Sequence, residues 1–334
     1  MNPQLAELVE AADLNALVRA VDGLASSRAW EELVDLAERC EDAIERGKQL
    51  WPIAALIDYR LALDAPGEYA ASVMDTDLAR FMLGPPTEVA ASTHTWADLS
   101  PHLDSPQAAG YYAQERVLRG EQLDGVTGTH PDVLQLPMTL LDWEPTYALA
   151  TYKSDHVEVS EPWDPKAPMT AVESEPAPDL DDEELEGLLL ELVSPWTTQS
   201  NGAARIAIVE GSALSAAAKL APSGSLRASR LAVDEAMRLV AWAAASGGAY
   251  GRRRGAAYGR SAAFFLAGVM TDLAWPPDPA DLGAALAQLE FYRFDEGEPE
   301  KGWILRLAVG DPSMGWGAAI SASDLLDEDV DNDE

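Results

Sequence analysis

Cysteine is nearly missing. Cys40 is the only one in 334 residues, so no intramolecular disulfide can form and no cysteine-rich metal site can exist. Lysine is scarce too, confined to Lys48, Lys153, Lys166, Lys219 and Lys301. Positive charge of any kind is short: 23 Lys and Arg stand against 57 Asp and Glu, a formal net charge of −34. Such a chain repels nucleic acid and anionic membranes, so neither is expected as a partner. His94, His102, His130 and His156 match no metal-ligand spacing, and HExxH is missing. Walker A, GxGxxG and GxSxG are missing as well, and Ser212 in "VEGSALS" reads as a helix cap rather than a nucleophile. The most apolar stretch, "SAAFFLAGVMTDLAW", is interrupted by Asp272 and is too short to span a bilayer. The opening "MNPQLAELVEAADLNALVRAVDG" lacks the basic start and continuous apolar run of a secretory signal. The expectation is a soluble cytoplasmic protein with no catalytic residues, cofactor or metal.

What is present makes a folded chain. Hydrophobic residues account for 47%, and the length allows one large domain or two ordinary ones. The pattern predicts an α-rich α+β protein in four parts. Residues 1–120 form a helical region. Residues 121–200 are a connection rich in proline, tryptophan and acid, residues 201–323 an α+β region, and residues 324–334 an acidic tail. In the first part, "WEELVDLAERCEDAIERG" (30–47) spaces Leu33, Leu36, Ala37, Cys40 and Ile44 on one helical face, and Pro52 opens a second helix over 51–63. The two form an expected hairpin burying Cys40. Shorter helical segments follow, among them "DTDLARFML". Helix pairs on short turns suggest a repeat-like stack of the HEAT or TPR kind, although no fixed period recurs.

Strands are expected at "TYALATYK" and "HVEVS". The run "ESEPAPDL" reads as an exposed linker, and "DDEELEGLLLELV" as a helix with acid loaded at its start. Further on, "ARIAIVEG", "LEFYRF", "GWILRLAVGDP" and "GWGAAISASDL" read as strands. "RASRLAVDEAMRLVAWAAA" and "DPADLGAALAQL" read as helices.

Charge inverts over residues 201–260, where nine basic residues face three acidic ones, a surplus of six inside this acidic chain. The candidate anion- or partner-binding residues are Arg252, Arg253, Arg254, Arg260, Arg227, Arg230 and Arg238. Arginine pairs carboxylate and phosphate equally well, so the counter-charge is either the protein's own acid or an outside ligand. Gly251, Gly255 and Gly259 recur every four residues. On a helix over 251–267 they form a track where another backbone can approach, and they are the candidate packing residues. "RRRGAA" (252–257) resembles the R-x-x-G-x-A loop with which GNAT acetyltransferases hold the coenzyme A pyrophosphate. That loop follows a strand, whereas the stretch before this one reads as helix. The stretches "GRRRGAAYGR", "WPPDPADLGAALAQLEFYRFD" and "GWILRLAVGDP" make residues 246–323 similar to the C-terminal part of an uncharacterised bacterial family. That resemblance implies no chemistry.

The sequence therefore points to a non-catalytic protein-interaction or regulatory protein with an acidic surface, its partner another protein. The alternative is an enzyme, most plausibly a transferase, that holds a phosphate-bearing small molecule through the arginines at 252–260.

Overall fold

A computed structural model describes residues 3–75, 82–160, 162, 168–221, 225–297 and 301–326. The protein is α+β, with helices first and an antiparallel sheet in the C-terminal part. It divides into two compact units, one of residues 1–139 with 149–159 and one of residues 140–148 with 160–334.

The first unit contains α1 (Pro3–Ala11), α2 (Leu14–Ser27), α3 (Trp30–Glu45), α4 (Trp51–Asp64), α5 (Gly67–Ala71), α6 (Pro86–Ala91), α7 (Trp96–Leu99) and α8 (Pro106–Leu118). An antiparallel pair, β1 (Ala150–Tyr152) and β2 (Val157–Val159), completes it. Local chemistry sets the helix ends. Asp13 Oδ1 accepts from Ala16 N at 3.0 Å to start α2, and Arg28 at φ 57° closes it. Pro52 begins α4, which is buried on most of its surface because it packs against α2, α3, α5 and α6. The expected pairing of α3 with α4 is present, with Cys40 fully buried and its thiol pushed up to about 11 by burial. The strand pair is tied to the helices by polar groups. Tyr152 donates to the buried Glu88 at 2.6 Å, and Arg119 joins Glu115 at 2.8 Å and the Ala150 carbonyl at 3.2 Å. Most of "DTDLARFML" lies outside the described residues.

Asp58 of α4 gives this unit a pH dependence. Burial, and the Glu41 charge beside it, push its carboxyl up to about 7. A carboxyl raised on folding stabilises the folded form while protonated, and that contribution is lost as pH climbs from about 4 through 7. Asp58→Asn is therefore expected to raise the first unit's stability by about 1–2 kcal/mol at pH 8 and to change little at pH 5. Thermal melts at the two pH values check this; equal shifts at both would refute it.

The second unit contains β3 (Thr170–Ala171), α9 (Glu183–Leu192), α10 (Ser194–Thr198), β4 (Ala203–Val209), α11 (Ala213–Leu220) and β5 (Arg227–Leu231). These are followed by α12 (Val233–Ala245), α13 (Ala256–Met270), α14 (Pro279–Leu286), β6 (Glu290–Asp295), β7 (Trp303–Asp311) and β8 (Trp316–Asp324). The strands form one antiparallel sheet in the order β3-β5-β6-β7-β8-β4. A register row of Ala207, Ala319, Ala308 and Tyr292 lies under α11. Small residues let that helix come close. Gly310 and Gly317 are paired, and a Cβ on Gly317 would lie 2.3 Å from the Ser212 carbonyl. Ser212 caps α11, its Oγ accepting from Ser215 N at 3.1 Å. Ile208 and its neighbours on the opposite face meet α9 and α13.

The segment read as a linker is held at both ends. Thr170–Ala171 pairs with β5 at one margin of the sheet, and Asp179 bridges Val209 of β4 at the other. Between them Val172 and Ala177 pack on the α11 face, so this stretch straps the sheet across.

Two expectations need correction. Residues 227–231 are a strand, not the start of a helix, because pairing with β6 and β3 outweighs their modest helix propensity. The helix begins at Val233, its start marked by Glu235 Oε2 accepting from Ala232 N at 2.8 Å. Likewise α13 begins at Ala256, so Gly251 and Gly255 precede the helix rather than lining it. Gly255 sits at φ 93°, ψ 159°, a conformation essentially reserved for glycine. From residue 327 onward the expected tail lies outside the described residues, while Asp324 ends β8.

Candidate functional site

The arginines do not form one patch. Strand geometry sends Arg227 and Arg230 to opposite faces of β5, and Arg238 lies on α12. Those whose acidic partners are clear pair within the protein. Arg254 is the densest node. Its Nη1 reaches Glu191 Oε1 at 2.7 Å and the Tyr258 hydroxyl at 3.1 Å. Its Nη2 donates to the carbonyls of Glu191 and Leu192 at 3.0 and 2.7 Å, and its Nε to that of Ala244 at 2.7 Å. One guanidinium thus caps the ends of α9 and α12 and lies 4.4 Å over the Tyr258 ring. Burial draws its pKa down, while Tyr258 and Glu191 act the other way.

Arg260 is completely buried. Its Nε and Nη2 grip the two oxygens of the equally buried Glu144 at 2.8 and 2.6 Å. Glu144 also accepts from Leu141 N at 3.0 Å and the Tyr147 hydroxyl at 2.6 Å. Burial and the Glu144 charge drive the Tyr147 phenol well above the ordinary tyrosine range. Arg227 holds Asp295 through two bonds of 2.7 and 2.8 Å, which keeps that carboxyl below its usual value. Arg230 reaches Glu290 at 3.4 Å on the exposed surface.

The loop before α13 is engaged in the same way. Ala249 N donates to the buried Asp324 carboxylate at 2.6 Å, Tyr250 N to Ser200 Oγ at 3.2 Å, and Arg252 N to Gln199 Oε1 at 3.1 Å. Arg254 N and Gly255 N both reach the Ala245 carbonyl, at 2.8 and 3.4 Å. Within the stretch that resembles an acetyltransferase loop, the backbone donors of Arg252, Arg254 and Gly255 are thus bonded to this protein's own oxygens. Helix α12, not a strand, leads into the loop.

Sequence reasoning missed two adjoining grooves beside β4. One, of about 470 Å³, has a floor of Leu185, Ile208, Met270 and Trp316, the exposed Met314 at its edge, and a rim of Asp182, Glu184, Asp272 and Asp311. Its neighbour, of about 390 Å³, lies between Ile206–Ile208 and Asp179, Asp181, Asp182 and Glu186. The described residues lining them include no lysine, arginine or histidine. The Asp311 carboxylate accepts from Ser313 N, Ser313 Oγ and Met314 N at 2.7, 2.6 and 3.1 Å, which lowers its pKa and fixes the β7–β8 turn. That turn presents Met314 at 75% exposure. An apolar floor under a carboxylate rim suits a cationic side chain with an aliphatic stem. The only sequence signal was the run of acid at 179–186.

Fold and grooves together define an α+β protein with internally paired arginines and open clefts edged by acid. No described helix is long and apolar enough to cross a membrane. The chain belongs to a family described as "Family of unknown function (DUF6183)", which it matches over residues 15–311, far beyond the C-terminal stretch that prompted the earlier resemblance. No curated protein and no solved structure matches it.

Proposed function

We propose that this is a non-catalytic cytoplasmic interaction or regulatory protein that engages a basic protein partner through its acidic surface. The observation that carries this reading is the internal pairing of the arginine region. Arg254 meets Glu191, Arg260 meets Glu144 and Arg227 meets Asp295, so three of the arginines that suggested a phosphate ligand are held by the protein's own acids. The negative excess is left for partners, and the clefts beside β4 carry it.

Two measurements test the reading. Inorganic phosphate and coenzyme A are expected to leave the melting temperature unchanged, since a ligand bound to the native state would raise it. Affinity capture from the native host is expected to recover a basic protein released by rising salt. A clear thermal shift with coenzyme A that Arg253→Ala abolishes would instead establish the ligand-holding alternative.

A further inference from the structure

Edge strands offer hydrogen bonds to whatever lies alongside, and proteins normally cover or charge them. Here β4 is the edge strand at one margin of the sheet. Among the described residues, the protein's own chain covers only its C-terminal end, where Leu180 N donates to the Ile208 carbonyl at 3.0 Å and Glu210 N to the Pro178 carbonyl at 2.9 Å. These two bonds fix the parity of the strand. Residues 208 and 210 point their backbone groups outward, and residues 207 and 209 point theirs at β8. By the same alternation the N–H and C=O of Ala204 and Ile206 point outward, upstream of the covered end. Both residues are partly exposed.

Beside this stretch lies the smaller groove, and across it stand Asp181, Asp182 and Glu186, with no basic residue among the described lining. A second copy of the chain would bring acid against acid here. An extended segment bearing lysine or arginine would meet opposite charge and find strand donors and acceptors in register.

Building on the proposed interaction role, we infer that the β4 edge from Ala204 to Ile206 takes an added strand from a basic partner segment. The partner's backbone bonds to Ala204 and Ile206. Its cationic side chains, on the face that Ile206 and Ile208 share with α9, lay their aliphatic stems over those isoleucines and carry their charges to Asp181 and Glu186.

The test uses the full chain and a fluorescent peptide of alternating lysine and valine, read by anisotropy. The peptide is expected to bind, and N-methylation of alternate amides is expected to weaken it about tenfold or more by removing the strand donors. Ile206→Pro deletes one outward N–H without touching the β8 ladder, and is expected to weaken binding similarly. The methylated peptide carries the test if that variant fails to fold. Charge reversal in the pair Asp181→Lys and Glu186→Lys should also reduce binding. Equal binding of the methylated peptide, absence of binding, or self-association of the chain through β4 would each overturn the inference. Polylysine separates it from the broader reading. Retention of polylysine by wild type and charge-reversed protein alike, without peptide binding, leaves the acidic-interaction role standing and removes the β4 site. Failure to bind polylysine at all removes both.

Discussion

Replacing Arg260 by methionine is expected to destabilise the second unit by about 3–5 kcal/mol, the usual cost of leaving one member of a buried ion pair alone. Neither side chain of the Arg260–Glu144 pair touches solvent. The Glu144 carboxylate has four protein donors, two from Arg260, one from Leu141 N and one from the Tyr147 hydroxyl. Removing the guanidinium strands a negative charge where water does not reach. Combining Arg260→Met with Glu144→Gln is expected to recover part of the loss, because the charge is gone while the amide oxygen can still accept from Tyr147 or Leu141. Recovery stays partial because two of the original bonds are missing. Urea denaturation of the single and double variants measures both effects. A single variant within about 1 kcal/mol of wild type would show that this pair does not anchor residues 140–148 to α13.

The second large effect concerns Gly259. A Cβ there would lie 2.3 Å from the Ala241 carbonyl oxygen and 3.0 Å from the Ala245 Cβ. The obstacle is mainly backbone, so α12 and α13 must separate to admit any side chain. Gly259→Val is expected to cost about 3 kcal/mol, at the upper end of overpacking effects. Even Gly259→Ala should destabilise, although an unobstructed helical glycine gains up to about 1 kcal/mol from that change. Gly187 in α9 supplies the control, since nothing lies within 4 Å of its Cβ position. Gly187→Ala should therefore raise the melting temperature where Gly259→Ala lowers it. The same sign at both positions would refute the close helix contact.

These two glycines show what a sequence does and does not reveal. The four-residue spacing of Gly251, Gly255 and Gly259 suggested one helical track. Folded, each glycine answers to a different constraint. A Cβ on Gly251 would meet the Gly247 and Pro195 carbonyls at 2.3 and 2.6 Å, Gly255 supplies a positive φ, and Gly259 alone packs helix on helix. Local signals were readable where local chemistry decides. Asp182 and Asp278 start α9 and α14 as acidic caps, and the Gly-bounded apolar runs became β7 and β8. Residues 227–231 were unreadable because Arg-Ala-Ser-Arg-Leu has no strand signature, and its partners lie about sixty residues on in β6. The arginine partners were hidden for the same reason. Glu191 is 63 residues from Arg254 and Glu144 is 116 from Arg260, distances over which composition supplies candidates but no choice. The groove beside β4 depends on which strand becomes an edge, which is a property of the whole sheet.

The sheet order also sets a timetable for synthesis. Strand β4 takes its inner partner from the last strand of the sheet, with Val209 opposite Gly317 and Ala203 opposite Ser323. At ordinary elongation rates the hundred-odd residues between them take roughly 5–20 s to emerge from the ribosome. Throughout that interval β4 has neither margin fully occupied, and the sheet cannot close. The second unit is therefore completed only when its final strand is free of the ribosome, and a nascent chain stalled before Trp316 holds β4 as an open template for chaperones or for misassembly.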